Sequence, residues 1–488
     1  MSGAQLERKL GLWATISLVA GGVIGSGIFM KPALMAGQLG SPAWLLVVWI
    51  VAGIITLFGA LSNAEVAAMF PVTGGQYVFF EKMYGDFFAF LYGWAAFTIF
   101  NTAGVASIAY VMGEYTGYFI DLPRFPPEVE RSFSLHIPLI GTLFPLDNAG
   151  VKAVTIGTVF LLSIANYFST RFGGGIQVVF TAAKIGAIML LLMGIFFSGD
   201  GSIANLVTND MDIMPEGSAL YTALIAATAG AFWAYDGWNN ITFVAGEIRN
   251  PQSVIPKSLF IGILIPIVLY VLINLALLYV IPVGSMPGSL LIAADAATLV
   301  MGAAGGAAIV ALVILSTFGS TNGNILATAR VSFAMAREQR FFRFAGRVHP
   351  RFHTPGNALL LHACWTSVLV VSGSFDILTD MLIFVSWLFY GMSVAGLFIL
   401  RRKLPHVHRP YKVPGYPVLP LAFCAFTTMF LVITLYNDIS NYAAGKTPVI
   451  NAAIGLVLTL IGVPFYWYFK RKQKKRSSTE REITQEEQ

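Results

Sequence analysis

Charged residues are scarce in this chain. Lysine, arginine, aspartate and glutamate together make up 11% of the 488 residues, whereas hydrophobic residues make up 56%. Soluble domains carry about 25% charged residues, and the mean hydropathy of this chain is +0.73. The composition excludes an ordinary soluble domain and indicates a polytopic membrane protein.

Cysteine is nearly absent as well. The chain has two cysteines, Cys364 and Cys424, and both lie in apolar runs. Two cysteines so placed form no disulfide framework and match no metal-ligand spacing. We therefore expect no metal and no cofactor. The net charge of +6 predicts no nucleic-acid partner, because the basic residues of membrane proteins collect in cytoplasmic loops.

Long apolar runs, by contrast, recur twelve times. Each run is long enough to cross a hydrocarbon core of ~30 Å as a helix. The runs cover residues 11–39, 42–66, 87–116, 151–169, 175–198, 218–246, 257–281, 299–329, 357–373, 377–400, 417–436 and 449–469. The prediction is an all-α polytopic membrane protein with twelve transmembrane helices.

The charges between these runs alternate from one loop to the next. Basic residues concentrate in one set of loops, which includes residues 337–351 and 401–412 and the tail from residue 470. The other set holds few basic residues, namely Arg124, Arg131 and Lys446. By the positive-inside rule the first set is cytoplasmic. We therefore expect a multi-pass protein embedded in the lipid bilayer of the cell membrane, with both termini cytoplasmic.

Glycine interrupts the first run at its centre. Residues 21–29 read GGVIGSGIF and include four glycines, each of which costs about 1 kcal/mol relative to alanine inside a helix. Broken backbone at membrane depth is tolerated only where it is buried in protein or lines a cavity. The pattern therefore predicts a helix that is broken at a ligand site. The alternative is a continuous helix whose glycines pack against a neighbouring helix.

A second interruption lies in the sixth run, where residues 232–240 read FWAYDGWNN. An aspartate, a glycine and two asparagines weaken a helix at this point. The first run starts on the inside, and the sixth run, five crossings later, starts on the outside. The two breaks thus occupy corresponding positions in two oppositely oriented halves, which is typical of a secondary transporter with its substrate site at the bilayer midplane.

Both breaks would present helix ends to a ligand. The second half of the first helix should begin near residues 26–28, and a helix N-terminus attracts an anion. The preceding half-helices should end near residues 23–24 and 232–234, where free carbonyl groups attract a cation. An α-amino acid carries both charges. The predicted substrate-binding residues are Ile24, Gly25, Ser26, Gly27, Ile28, Phe232, Trp233, Ala234, Tyr235 and Asp236.

Two ionisable residues lie deep within the spans. Lys184 belongs to the fifth run, and Asp236 belongs to the second break. Such groups are expensive in a membrane and usually functional. The alternative is that the two residues pair with each other. Glu65, Glu114 and Glu247 lie at the ends of runs, where we expect them at the membrane interface.

Two further runs carry residues that could reach the site. The eighth run contains a string of small polar residues at 316–324, which either lines a cavity or packs tightly against the first helix. The tenth run contains Trp387, Phe389 and Tyr390. These aromatic residues either close the site or face lipid, and we expect Phe389 to face lipid.

Seven short motifs follow one another through residues 11–415. They are VIGSGIF at 23–29, TAAK at 181–184, WAYDGWN at 233–239, EIRNP at 247–251, GSTNG at 319–323, TAR at 328–330 and WLFYG at 387–391. On these motifs the chain resembles the amino acid–polyamine–organocation transporters. Within them it is most similar to the L-type amino-acid transporter group, which includes bacterial exchangers and the light subunits of heteromeric transporters.

The resemblance implies a LeuT-type fold. Its core would span residues 11–400 as two inverted five-helix repeats, 11–198 and 218–400, followed by transmembrane helices 11 and 12 within 417–469. Residues 1–10 would form a cytoplasmic N-terminus, and residues 470–488 a charged cytoplasmic tail. The resemblance further implies that the α-carboxylate binds at the first break and the α-ammonium at carbonyl groups of both breaks. It also implies alternating access, commonly as obligatory exchange.

The resemblance also implies how transport is coupled. Lys184 aligns with a lysine in the fifth span of the family, and Tyr270 with a tyrosine linked to it in some exchangers. Sodium-coupled transporters of this architecture hold the ion between spans 1 and 8, where an ammonium group would repel it by roughly 4 kcal/mol at 4 Å. We therefore predict that Lys184 replaces the ion, with Tyr270, Ser316, Ser320 and Asn322 as coupling and gating residues. The alternative is that Lys184 releases a proton in each cycle.

One departure from the family concerns the partner. The outer loop at residues 117–150 lacks cysteine, the residue by which light subunits bond to their heavy subunit. We therefore expect no disulfide-linked heavy subunit.

The resulting prediction is secondary active transport of L-amino acids across the cytoplasmic membrane, as sodium-independent exchange of neutral amino acids. The alternative is a proton-coupled symporter or exchanger that also accepts cationic amino acids. An enzyme is not expected, because the spans contain no nucleophile–base pattern and no paired histidines or aspartates. A channel is disfavoured because no repeat could form a ring of carbonyls or charges.

Overall fold

The protein is described by a computed structural model that covers residues 8, 10–72, 74–138, 140–168 and 171–473, with backbone alone for 171–183. The described residues form sixteen α-helices and one β-hairpin. The elements up to residue 198 are α1 (Leu12–Val23), α2 (Gly27–Leu39), α3 (Pro42–Met69), α4 (Gln76–Tyr84), α5 (Asp86–Ala95), α6 (Asn101–Thr116), α7 (Pro127–Ser132), β1 (Leu135–Ile137), β2 (Gly141–Leu143), α8 (Ala149–Phe168) and α9 (Arg171–Ser198). The later elements are α10 (Ser218–Ala234), α11 (Pro251–Val280), α12 (Ile292–Arg337), α13 (Gly356–Ser372), α14 (Phe375–Lys403), α15 (Val418–Ala443) and α16 (Asn451–Leu460).

The prediction of a polytopic helical membrane protein is confirmed. In the described part of the chain, eight helical segments are long and apolar enough to cross a membrane, and the bent pair α1–α2 makes a ninth. The other three predicted spans coincide with α9, with α10 and the 3-10 helix Trp238–Glu247 that follows it, and with α13. The count of twelve spans and the division into two repeats stay predictions. The expected cytoplasmic segments fall mostly on residues 1–7, 9 and 474–488, outside the described residues.

The chain between α2 and α3 illustrates how short turns separate the long helices. Gly40 adopts a left-handed conformation (φ 56°), and its N–H donates to the carbonyl of Ala36 at 2.8 Å. Glycine adopts this conformation without a steric penalty, which makes it the common residue just past a helix end. Pro42 then opens α3 as its first residue, where a missing N–H costs nothing.

The eighth predicted span is longer than expected. The helix α12 starts at Ile292 rather than near residue 299, and it is interrupted at Gly302, whose φ of 68° is not helical. A short helical segment therefore precedes the span proper.

The predicted outer loop at 117–150 contains the only strands in the described residues, so the all-α class has one exception. The strands β1 and β2 pair antiparallel. The N–H of Thr142 donates to the carbonyl of Pro448, and the N–H of Ile450 donates to the carbonyl of Ile140, both at 2.8 Å. These bonds fasten the hairpin to the start of α16.

Glu65 lies near the end of α3, and its place at the membrane interface stays a prediction. Its side chain is fully buried, and both carboxylate oxygens accept from the guanidinium of Arg401, at 2.9 and 2.7 Å. Arg409 lies 3.4 Å away, and the N–H of Val413 donates to Glu65 at 2.8 Å. Two cations and a backbone donor satisfy the buried charge, so the carboxylate ties the end of α3 to the end of α14 and the loop beyond it.

Candidate substrate site

The first predicted break is present in the structure. Helix α1 ends at Val23 and α2 begins at Gly27, with their axes bent by 41°. Ile24 leaves the helical conformation (φ −67°, ψ 91°), and Ser26 occupies the N-cap position of α2. The N-terminus of α2 therefore lies in the middle of the span, as the glycine pattern predicts.

The second break follows the same plan. Helix α10 ends at Ala234, and the backbone turns at Gly237, which adopts a left-handed conformation with φ of 100°. A 3-10 helix, Trp238–Glu247, continues in place of an α-helix. Asp236 therefore lies in a turn between two helical segments and not on a helix face.

The two breaks contact each other through glycines. A Cβ atom on Gly27 would lie 2.7 Å from the Cα of Ala234, and one on Gly237 would lie 2.7 Å from the carbonyl oxygen of Gly22. A Cβ on Gly25, by contrast, would meet only the Val23 carbonyl oxygen, at 3.7 Å. Both interpretations of the glycine pattern therefore hold in part. Gly27 is required for close packing between the two breaks, whereas Gly25 borders open space in which a ligand could lie.

A cavity lies at this contact. Its empty volume is about 720 Å³, part of which is open to solvent. The lining comes from both breaks, from the segment spanning α5 and α6, and from α12 and α14. The lining residues are Gly22, Val23, Gly25, Ser26, Gly27, Tyr92, Phe100, Asn101, Gly104, Ile108, Trp233, Ala234, Asp236, Gly237, Asn239, Asn240, Phe243, Asn324, Leu382 and Tyr390.

Six of the ten predicted substrate-binding residues line this cavity: Gly25, Ser26, Gly27, Trp233, Ala234 and Asp236. The side chains of the other four, Ile24, Ile28, Phe232 and Tyr235, are buried in the surrounding protein. Tyr235, for example, donates from its hydroxyl to the carbonyl of Trp49 at 3.1 Å.

The N-terminus of α2 is a feature of the cavity that attracts an anion. The side chain of Ser26 is 2% exposed, and its hydroxyl has no hydrogen-bond partner within the described residues. A buried hydroxyl without a partner is costly. A ligand oxygen at the start of α2 would satisfy both this hydroxyl and the free N–H groups of the first turn.

Tyr270 joins the carbonyl ends of the two half-helices. Its hydroxyl lies 2.8 Å from the carbonyl oxygen of Val23 and 3.1 Å from that of Ala234. The ring is fully buried against Trp49 and Tyr235. Each carbonyl oxygen keeps a second lone pair for another donor.

Lys184 also reaches the first half-helix, one turn before the break. Its ammonium donates to the carbonyl of Gly21 at 3.1 Å, and the residue is 2% exposed. Asp236 accepts instead from the hydroxyl of Tyr390, at 2.7 Å. The alternative of a Lys184–Asp236 pair is therefore wrong.

The structure does not bring Ser316, Ser320 and Asn322 together with Lys184 in any described contact. The Ser320 hydroxyl donates to the carbonyl of Ser316 within α12, at 2.9 Å. The side-chain oxygen of Asn322 accepts from Asn166 of α8, at 2.7 Å. The residue of this string that lines the cavity is Asn324.

The aromatic residues of α14 divide between the cavity and the core. Trp387 stacks on Phe232 with ring centroids 3.5 Å apart, and Tyr390 lines the cavity. Phe389 is 3% exposed and packs against Phe80 and Tyr92. The expectation that Phe389 faces lipid is therefore wrong.

The sequence analysis missed Lys31, a buried lysine of α2. Its ammonium donates to Asp376 at 2.8 Å and to Thr379 at 3.0 Å, and lies 4.7 Å from the ring centroid of Phe375. Lys31 is 1% exposed, whereas Asp376 is 54% exposed. The signal was available, because a lysine inside a predicted span is itself unusual. Its partner, 345 residues away in the sequence, was not predictable.

Lys31 and its partners lie behind one wall of the cavity. Trp233, in the cavity wall, packs edge-on against Phe375, with ring centroids 5.1 Å apart. At the other end the lining continues past the second break to Asn240 and Phe243 of the 3-10 helix. The lining thus runs from Trp233, which contacts the Lys31 cluster through Phe375, to the 3-10 helix after the second break.

These features are those of a broken-helix transporter, and comparison with known proteins agrees. The family model described as amino acid permease matches residues 10–462, and the chain belongs to this family. The family and its relatives are transporters and not enzymes.

Three relatives illustrate the range of the family. The chain is similar to the serine/threonine exchanger SteT of Bacillus subtilis, at 30% identity over 96% of this chain and 98% of that protein. It is 32% identical to the human cystine/glutamate transporter, over 95% of this chain and 86% of that protein. It is 30% identical to the human large neutral amino acids transporter small subunit 2, over 97% of this chain and 83% of that protein.

Proposed function

We propose that the protein exchanges neutral L-amino acids across the cell membrane by alternating access, independently of sodium. The observation that carries the proposal is the N-terminus of α2, with the unpartnered Ser26 hydroxyl and the open space at Gly25 beside the cavity. The names of its relatives, among them a serine/threonine exchanger, support an exchanger of amino acids.

The two charged groups of an amino acid would bind at opposite helix ends. The carboxylate would accept from the first N–H groups of α2 and from Ser26, which the helix dipole favours. The ammonium would donate to the remaining lone pairs of the Val23 and Ala234 carbonyls, beside Tyr270. The substrate side chain would then face Asp236 and Tyr390.

Alternating access would require one end of the cavity to open. In the closed arrangement Lys31 bonds to Asp376 and Thr379, so α2 is held against α14. We propose that these contacts break when the site turns to the other side of the membrane, while the end near Phe243 closes. An amino acid bound at α2 would cross with this rearrangement.

Lys184 would take the place of a coupling ion. Its ammonium donates to the carbonyl of Gly21, and a sodium ion would need carbonyl oxygens of this kind as ligands. Proton coupling is the second candidate, because a buried lysine loses its proton more readily than an exposed one. Broader selectivity that includes cationic amino acids belongs to this second candidate.

The proposed membrane arrangement is that of the cell membrane, with both termini cytoplasmic and no disulfide-linked heavy subunit. The Lys31 cluster would then lie toward the outer side and the 3-10 helix toward the inner side. Purification of the chain alone and reconstitution into liposomes tests the last point. Transport that appears only with a co-expressed single-span protein would overturn it.

The decisive experiment is uptake of labelled amino acids into proteoliposomes. Vesicles preloaded with unlabelled neutral amino acid should take up label, whereas empty vesicles should not, and replacement of sodium by a bulky organic cation should leave the rate unchanged. Uptake that follows an imposed sodium gradient would refute the sodium-independent mechanism. Uptake that follows a pH gradient would favour the proton-coupled candidate.

A further inference from the structure

A basic pocket lies on the membrane face that carries the arginine-rich loops, and it shares no lining residue with the substrate cavity. It forms where the segment after α12 meets the helical extension of α16, which covers residues 462–473. Its empty volume is about 750 Å³, part of it open to solvent. The lining residues are Gln339, Phe341, Phe342, Arg343, Phe344, Arg347, Tyr468, Phe469, Lys472 and Gln473. A second hollow, which shares Tyr468 and Lys472, adds Arg471 beside it.

The cations of this pocket have no carboxylate partner among the described residues. None of Arg343, Arg347, Arg471 and Lys472 forms a salt bridge with any residue that the structure describes, and all four are exposed. Arg340 provides the contrast, since it contacts three carboxylates within 4 Å. Within the described residues, carboxylates therefore neutralise Arg340 but not Arg343 and Arg347, which follow it in the sequence.

Aromatic and apolar side chains flank these cations. Trp467 and Tyr468 are about half exposed, at 52% and 53%, and Phe344 and Val348 are 44% and 47% exposed. Half-exposed aromatic rings at the end of a membrane helix are typical of the headgroup level. The pocket therefore combines unpaired positive charge with a position at the bilayer surface.

We propose that this pocket binds the phosphate headgroup of an anionic phospholipid. Arginine guanidinium groups donate several hydrogen bonds to phosphate oxygens in a fixed geometry. The acyl chains would leave the headgroup along the exposed face of Trp467 and Phe344. A basic pocket between membrane helices at the cytoplasmic surface is a known type of lipid-headgroup site.

The test is direct lipid binding by the purified full-length chain. Native mass spectrometry or titration in detergent would compare a short-chain anionic phospholipid with its zwitterionic counterpart. The variant carries Arg343→Gln and Arg347→Gln. The matched control carries Arg402→Gln and Lys412→Gln, which removes the same charge from exposed residues of another loop on this face.

The proposal expects the unchanged chain to prefer the anionic lipid. The pocket variant should bind that lipid about tenfold or more weakly, because each cation near the surface contributes to attraction, whereas the control should keep the preference. Equal loss in both variants would indicate general surface charge and overturn the proposal. All variants should elute as folded monodisperse protein, since the substituted side chains are exposed.

Two further measurements distinguish a lipid from other occupants of the pocket. Inorganic phosphate and glycerol phosphate at millimolar concentration should not displace the lipid, and displacement would identify a site for soluble anions instead. A chain truncated after residue 473 removes four glutamates of the tail together with four basic residues, so the net charge is unchanged. A preference for anionic lipid that emerges only after truncation would assign the pocket to the tail and overturn the proposal.

Discussion

The hydroxyl of Tyr390 donates to one carboxylate oxygen of Asp236 at 2.7 Å, and both residues line the cavity between the two broken helices. The bond joins the turn after α10 to α14. One carboxylate oxygen of Asp236 is thus already hydrogen-bonded within the protein, and this bond fixes the orientation of the carboxylate.

This bond predicts a structural role for Asp236. Asp236→Asn and Tyr390→Phe should each slow exchange of alanine and arginine to a similar degree, by about tenfold, because a hydrogen bond to a charged group contributes about 1.5–3 kcal/mol. Exchange rates in proteoliposomes for both substrates provide the measurement. Selective loss of arginine transport in Asp236→Asn would instead indicate direct contact with a cationic substrate.

The two glycines of the first break should respond differently to the same added methyl group. Gly25→Ala should fold normally and bind substrate weakly, because its Cβ enters open space beside the cavity. Gly27→Ala should lower the thermal stability, by about 1–3 kcal/mol, because its Cβ would lie 2.7 Å from the Cα of Ala234. Thermal unfolding and substrate titration on both variants check the contrast. Equal stability of the two variants would contradict the packing assigned to Gly27.

The Lys31 contacts predict a barrier at one end of the cavity. The starting chain for this test carries Cys364→Ser, Cys424→Ser and Gly25→Cys, so that its thiol lies at the first break. Adding Lys31→Met should raise the rate at which an impermeant maleimide, applied from the Lys31 side, labels this thiol. The increase should be about two- to fivefold, because the half-exposed Asp376 limits the ion pair to about 1 kcal/mol or less.

Lys446→Met is the matched control for that experiment, since Lys446 is exposed and lies on the same membrane face as Asp376 by the predicted topology. It should leave the labelling rate unchanged. A Lys31→Met chain that labels no faster than its parent would show that this contact does not limit access.

Lys184 should matter more for transport than for folding. Lys184→Met keeps the apolar length of the side chain but removes the bond to the Gly21 carbonyl, so we expect exchange to slow by tenfold or more with a loss of stability of about 1 kcal/mol. Parallel measurement of exchange and thermal unfolding separates the two effects. Unfolding that accounts for the whole loss of exchange would make Lys184 a structural residue.

The positions of the two breaks were predictable because their cause is local. Glycine, aspartate and asparagine weaken a helix wherever they occur in a span, so residues near Gly25 and Gly237 could be assigned from the sequence alone. The contacts across the cavity were not, because Lys31 and Asp376, or Asp236 and Tyr390, come from distant parts of the chain.

Burial of individual side chains was the least predictable property. Phe389 was expected to face lipid, yet it is buried by partners from other helices, and the side chain of Glu65 near the end of α3 is fully buried as well. Hydropathy shows that a helix is in the membrane but not which of its faces contacts lipid, since lipid and protein interior are similarly apolar. Of the cavity residues, Asn324 is part of the polar string at 316–324 that predicts a cavity wall or a packing surface, whereas Asn101 belongs to no such polar pattern.

The shared hydroxyl of Tyr270 restricts how the transporter moves. A hydroxyl has one proton to donate, so separation of α1 from α10 would leave the carbonyl of Val23 or that of Ala234 without this donor in a buried region. The cost would be about 1–3 kcal/mol. We therefore expect the two half-helices to move together as one block. A rotation that carries one half of the site also carries the other, which keeps the two ends of a bound amino acid in register during the crossing.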